Sequence, residues 1–299
     1  MTTVYCATLS PVKFALLPPY RTGAVADPAW ITRFAQHAEA CGFDAIYTVE
    51  HVVVPAGYSS RYPYSPDGRM TLPDHADIPD PLDLLAYLAG ATTTLGLGTG
   101  LIVLPEHHPL QLAKRLATID RLSGGRLTIG VGVGWLREEL EAMNVDPATR
   151  GRRADECIEA LRVLWREDEP TFHGEFFSFT KACSHPKPVR DTGVPIHVGG
   201  HSAAAARRAG RLGDGFHPLG LAGDALTERL DQMREAAVGA GRDPDAIELT
   251  LGGLLDQLDD ERLAAAEKVG AVRLVVSTRV KDIDAMCADL STFAARFIA

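Results

Sequence analysis

The feature that most constrains this chain is a repeated alternation. A short apolar run, a turn and an amphipathic helix recur eight times between residues 12 and 297. The apolar runs lie at 12–17, 44–49, 95–104, 126–133, 195–198, 214–216, 247–251 and 272–277. Helix starts follow them. Asp27-Pro28 and Asp80-Pro81 pair an N-cap acceptor with a proline at the first helical position. Further helices are expected from Pro109, over 136–143 and 152–166, from Ser202, and over 225–238, 260–268 and 283–297. Strands that are apolar on both faces suit a parallel sheet covered by helices, and eight such units close into a barrel. The expected fold is α/β: a single (β/α)8 TIM barrel spanning residues 1–299, with insertions after strand 2 and before strand 5.

Two stretches break the rhythm. Residues 51–79 contain Pro55, Gly57, Pro63, Pro66, Gly68 and Pro73, and lie between the second strand and its helix. That is the face on which barrel active sites are built, and long loops there serve as lids or binding loops. Tyr58, Tyr62 and Tyr64 suit a loop that covers something apolar. Residues 171–180 place Phe172, Phe176, Phe177 and Phe179 around Gly174, which predicts a β-hairpin packed either at a site or on the barrel's outside.

Composition excludes several classes. Lys and Arg number 30 against 39 Asp and Glu, a net charge of −9. Nucleic-acid binders gain affinity by neutralising phosphates, so no nucleic-acid partner is expected. The five cysteines, Cys6, Cys41, Cys157, Cys183 and Cys287, form no C-x-x-C, and together with an N-terminus lacking a basic region they point to the cytoplasm. The uncharged stretch 84–105 has the length of a membrane span, but the run Thr92-Thr93-Thr94 and four glycines within it read as a helix, a break and a buried strand. No membrane partner and no metal site are expected. His107 and His108 are adjacent and splayed, unlike a His-x-His metal pair.

In a barrel the chemistry stands where strands end. The second strand ends in Glu50-His51, a carboxylate beside an imidazole suited to acid–base work. The fourth ends Gly130-Val131-Gly132-Val133-Gly134-Trp135. Alternate glycines either let a planar ring approach the backbone or relieve crowding in the barrel. The spacing fails the dinucleotide fingerprint. The fifth ends Gly199-Gly200-His201-Ser202 before an Ala-rich helix, an arrangement suited to a phosphate at a helix N-terminus. His217, after the sixth strand, faces the mouth or fills the barrel.

As an ordered set, these segments resemble the luciferase-like monooxygenase family. They are Phe43-Asp44-Ala45-Ile46-Tyr47-Thr48-Val49-Glu50-His51, Leu97-Gly98-Thr99-Gly100-Leu101-Ile102-Val103, His108-Pro109, Asp120-Arg121-Leu122-Ser123-Gly124-Gly125-Arg126, Gly130 to Trp135, and Pro195-Ile196-His197-Val198-Gly199-Gly200. The resemblance is greatest to the branch that uses the deazaflavin coenzyme F420; other members use FMN. It implies a catalytic His51 with Glu50 beside the cofactor ring. It implies further cofactor contacts from Thr99, Gly100, Leu101, Gly132, Gly134 and Trp135, a phosphate loop at Gly199, Gly200, His201 and Ser202, and a non-proline cis peptide at Gly100–Leu101. Sugar-phosphate dehydrogenases of the family carry an acid where Trp135 stands and an Asn near Glu138, so a more apolar small-molecule substrate is expected here. A homodimer is implied. The expected activity is hydride transfer between F420 and a small organic substrate. The alternatives are a reduced-FMN monooxygenase using O2 and a flavin-binding protein without turnover. Arg61, Arg69, Lys187 and Arg190 are candidates for a basic groove toward the acidic tail of F420.

Overall fold

A computed structural model describes residues 12–298. Cys6 and the N-terminal segment on which the targeting expectation rests lie outside the described residues. Eight parallel staves close into a barrel. In chain order the strands are β1 (Lys13–Leu17), β2 (Ala45–Thr48), β3 (Gly96–Thr99), β4 (Ile102–Val103), β5 (Leu127–Gly132), β6 (Phe172–His173), β7 (Ser178–Phe179), β8 (Ile196–Gly199), β9 (Gly215–His217), β10 (Glu248–Leu254) and β11 (Ala271–Ser277). β3 and β4 are two pieces of one stave, and β6–β7 is the antiparallel hairpin, outside the barrel. The helices are α1 (Pro28–Ala40), α2 (Pro81–Ala91), α3 (Pro109–Leu122), α4 (Arg137–Ala142), α5 (Arg150–Arg166), α6 (Ala203–Leu212), α7 (Gly223–Gly239), α8 (Asp260–Lys268) and α9 (Ile283–Phe297).

The helix starts obey local chemistry. Asp27 accepts the Trp30 N–H at 2.8 Å, and Asp80 accepts those of Leu82 and Asp83 at 2.9 Å. The helices then lay apolar faces on the outer side of the barrel, where Phe34, Leu85, Leu116, Leu161 and Met286 join Leu16, Ile46, Leu97 and Phe216 in one continuous core. The uncharged 84–105 stretch is the end of α2, a break, and the third stave. No described helix is long and apolar enough to cross a membrane. The aromatic hairpin belongs to the outside: Phe177 and Phe179 are buried in the main core, and Arg153 lies 4.7 Å over the Phe177 ring.

The third stave differs from the continuous strand expected over 95–104. Gly98 is opposite Thr128, but Ile102 is opposite Val131, so the register slips by one residue between them. This is a β-bulge, and its Gly100–Leu101 peptide is cis, as the resemblance implies. The bulge turns Leu101 over β5 and against β8. A Cβ at Gly132 would come within 3.0 Å of Leu101 Cδ1, and a Cβ at Gly199 would overlap that methyl outright. Gly98 faces the Tyr47 ring in the same way, at 2.9 Å. The alternate glycines of β5 and β8 therefore accommodate Leu101, which answers the choice between ring approach and crowding largely in favour of crowding.

Below this layer the interior is closed by polar groups. Arg273 bonds Asp44 at 2.6 Å and Glu248 at 3.3 Å. His217 is buried in the barrel, edge-on to Tyr47 at 6.5 Å, and does not line the mouth. Burial first, then the neighbouring charges of His197 and Arg273, push His217 down to about 3, so its ring is a neutral filler.

If Gly199 exists to seat Leu101, the two positions must be energetically coupled. Gly199→Ala should cost about 1–3 kcal/mol by overpacking and Leu101→Ala about 2–5 kcal/mol by cavity formation. The double variant should be more stable than their sum by about 1 kcal/mol or more in urea unfolding. Strict additivity would show that something other than Leu101 requires the glycine.

Candidate active site

Parallel strands all end at one face, so the residues singled out at strand ends converge. A cavity of about 700 Å³ opens there, lined by Glu50, His51, Gly100, Leu101, Gly132, Gly134, Trp135, Gly199, Gly200, His201 and Ser202. Thr99 is the exception among the expected residues. It is fully buried beneath the floor, where its hydroxyl donates to the Gly130 carbonyl at 2.7 Å and accepts the Gly130 N–H at 2.9 Å. Thr99 thus sews the third stave to β5 and has no free group to offer the cavity.

Glu50 and His51 are sequence neighbours that serve different partners. Glu50 accepts the Val103 N–H at 2.6 Å and the His107 Nε2–H at 3.0 Å. His51 donates through Nδ1 to Glu139 Oε2 at 2.7 Å. The other oxygen of Glu139 accepts the Val53 N–H at 3.2 Å. The expected Glu50–His51 pair is therefore two crossed pairs, because alternating side chains at a strand end point to opposite sides. His107, set aside as an unlikely metal ligand, anchors Glu50. Glu139 has no local sequence motif; its signal is a carboxylate on the buried side of α4, between Leu136 and Leu140.

A third carboxyl completes this cluster. Both oxygens of Glu106 are buried with no hydrogen-bond partner. Burial first, then the charges of Glu139 and Glu50, raise its pKa to about 9. Its folded pKa lies above its unfolded value, so the protein is favoured below the unfolded pKa and loses that stability as pH rises toward about 9. Glu106→Gln should accordingly stabilise the protein at pH 8, by about 1–3 kcal/mol, and change little at pH 4. Equal melting shifts at both pH values would contradict this.

The 51–79 loop covers the cavity. Arg61, Tyr62, Pro63, Tyr64, Met70 and Leu72 all line it. Edge-to-face contacts run across the mouth: His51 to Trp135 at 5.9 Å, Trp135 to Tyr62 at 5.0 Å, Tyr62 to Tyr64 at 5.3 Å, and Tyr64 to His201 at 5.1 Å. Glu138 latches the loop, accepting the Ser59 N–H and hydroxyl at 2.7 Å each and the Ser60 hydroxyl at 2.6 Å. The Ser60 hydroxyl, opposed by a burial penalty and helped by Ser59, holds the Glu138 carboxyl down to about 2. The latch is thus intact above the ordinary glutamate pKa and releases only as pH falls toward about 2. Glu138→Ala should free the loop, seen as faster proteolysis within residues 52–79 at neutral pH. An unchanged cleavage rate would mean that the aromatic contacts alone hold it.

The expected phosphate loop has the right backbone. Gly200 sits at φ +121°, a conformation open to glycine. Ser202 caps α6 by accepting the Ala205 N–H at 3.1 Å. The other first-turn amides have no carbonyl four residues back to bond. His201 Nδ1 is buried with no partner. An anion fits this set of donors. Arg21, Arg61, Arg150 and Arg279 also line the cavity. Of the arginines and lysines considered for a basic groove, only Arg61 does so. Arg69 braces the loop through the Tyr58 carbonyl at 2.9 Å, and Lys187 bonds the Leu164 and Glu167 carbonyls at the far end of the barrel. Arg190 does not line the cavity either.

An uncharacterised protein of Mycobacterium tuberculosis (strain ATCC 25618 / H37Rv) is 36% identical over 216 residues, 72% of this chain and 74% of that one. The FMNH(2)-dependent dimethylsulfone monooxygenase of Pseudomonas putida is 29% identical over 269 residues, 86% of this chain and 68% of that one. The structure of an F420-dependent secondary alcohol dehydrogenase in complex with an F420-acetone adduct superposes with a TM-score of 0.75 at 17% identity, covering 96% of this chain and 98% of that one. The sequence profile of the luciferase-like monooxygenase family matches residues 12–295, and the chain belongs to that family.

Proposed function

We propose that this protein is an oxidoreductase that moves a hydride between coenzyme F420 and a small, largely apolar organic substrate. The observation that carries the reading is the placement of His51. Its Nδ1 is engaged by Glu139, and its Nε2, without a partner among the described residues, belongs to a ring that lines the cavity. Hydride transfer to or from a carbon–oxygen bond requires a proton donor or acceptor at the oxygen, and a histidine so held can act there. Bound, the deazaflavin supplies the hydride chemistry. The chain's residues do the rest. The Gly199–Ser202 backbone and the start of α6 would hold the phosphate, Leu101 would support the ring, and Trp135 with Tyr62 would press an apolar substrate toward it. A cavity of about 700 Å³ is large enough for ring and substrate together. The latched loop excludes water.

The test is a titration of the purified protein with F420 and with FMN, followed by absorbance and fluorescence. Micromolar binding of F420 and not FMN supports the proposal; the reverse overturns it. His51→Ala should lower turnover about 10²- to 10⁴-fold with little change in cofactor affinity. Wild-type turnover in that variant would remove His51 from the mechanism.

A second reading, a reduced-FMN monooxygenase, is favoured by the 29% identity over 86% of this chain to the dimethylsulfone enzyme. Both cofactors share a three-ring system and a phosphate, so the same loop and floor suit either. Oxygen consumption on adding substrate to the FMNH2-loaded protein distinguishes this reading.

A further inference from the structure

Glu139 is the buried carboxylate that the cofactor-binding segments do not account for. Its side chain is 2% exposed, and that of His51 is 11% exposed. A carboxylate withdrawn from water this far is retained at a cost unless its oxygens are bonded, and both are. One accepts from His51 Nδ1 at 2.7 Å and the other from the Val53 N–H at 3.2 Å. The two bonds tie the His51 ring, through Nδ1, and the Val53 backbone to the same carboxylate. We propose that Glu139 is the positioning residue for His51: it selects the Nδ1–H tautomer, so that Nε2 presents its lone pair to the cavity.

A neutral imidazole has one N–H and one bare nitrogen, and the partner of the first decides which nitrogen the second is. With Nδ1–H committed to Glu139, a proton arriving from the cavity goes to Nε2, and the resulting imidazolium keeps the carboxylate at its other nitrogen. The geometry also limits competition. Glu50 already accepts from Val103 and His107, and Glu106 has no hydrogen-bond partner. Trp135 meets the His51 ring edge-on at 5.9 Å without offering an acceptor. The inference rests on the proposed role of His51 for its catalytic meaning, but the tautomer itself does not depend on any cofactor.

The experiment is a two-bond ¹H–¹⁵N correlation spectrum of the full chain, labelled at histidine nitrogens, without cofactor. His51 signals are assigned by their loss in His51→Asn. Spectra are taken at a pH high enough that the ring signals no longer move. The expected wild-type pattern is a protonated Nδ1 and a bare Nε2. A hydrogen bond to a charged group favours that form by about tenfold or more. In Glu139→Leu the ratio should fall at least tenfold, toward the Nε2–H form. A wild-type ring with Nε2 protonated overturns the proposal, and so does a folded Glu139→Leu protein with unchanged ring signals. If that variant does not fold, the wild-type pattern alone decides. Failure of the F420 titration would sink the proposed function and leave this result standing; a wrong tautomer would do the converse.

Discussion

The contact on which the site depends is Leu101 lying over β5 and against β8. One extra residue in the third stave turns this side chain inward, and Gly132 and Gly199, on two other staves, leave it room. The result is a solid apolar floor at the depth where the strands end. Beneath it Tyr47, His197 and His217 are buried in the barrel, and Arg273 bonds Asp44. Above it lies the cavity of about 700 Å³, lined in part by Arg61, Tyr62, Tyr64 and Met70 of the covering loop. A flat ring laid on such a floor has one face covered by protein and the other free for a substrate.

The short helix α4 links the two movable requirements of such a site. Its first turn carries adjacent carboxylates with separate tasks. Glu139 turns inward to His51, and Glu138 turns outward to Ser59 and Ser60 of the covering loop. His51 and the covering loop are thereby tied to adjacent residues of α4. The aromatic row from His51 through Trp135, Tyr62 and Tyr64 to His201 spans the remaining distance to the Gly199–Ser202 turn. Burial, then the neighbouring Tyr62, pushes the Tyr64 phenol up to about 12, so this part of the roof stays neutral.

The staves, the helices and the Gly199–Ser202 turn were legible in the sequence because each is a local pattern. Asp27-Pro28 and Asp80-Pro81 start helices by bonds within four residues, and Gly199-Gly200-His201-Ser202 is a contiguous turn. His51 was legible for the same reason, standing at the end of an apolar run. What escaped is non-local. Glu139 is 88 residues from the His51 it holds, and His107 is 57 residues from Glu50. In sequence His107-His108 reads as a splayed pair, and nothing local marks Glu139. Thr99 was misplaced because a motif shared along one strand does not say which side chains face up; its hydroxyl is used entirely by Gly130. The β5 glycines were legible as a gap and not as a seat, since Leu101 reaches them only through the register slip.

The central claim is that one flavin-type cofactor lies on this floor with its phosphate at the start of α6. A crystal structure of the protein soaked with F420 tests it most directly. The account predicts phosphate oxygens within about 3 Å of backbone nitrogens of the Gly199–Ser202 loop, the ring resting on Leu101, and His51 Nε2 beside the ring's open face. A phosphate bound instead at Arg21 and Arg279, across the mouth, or a ring standing away from Leu101, would contradict it.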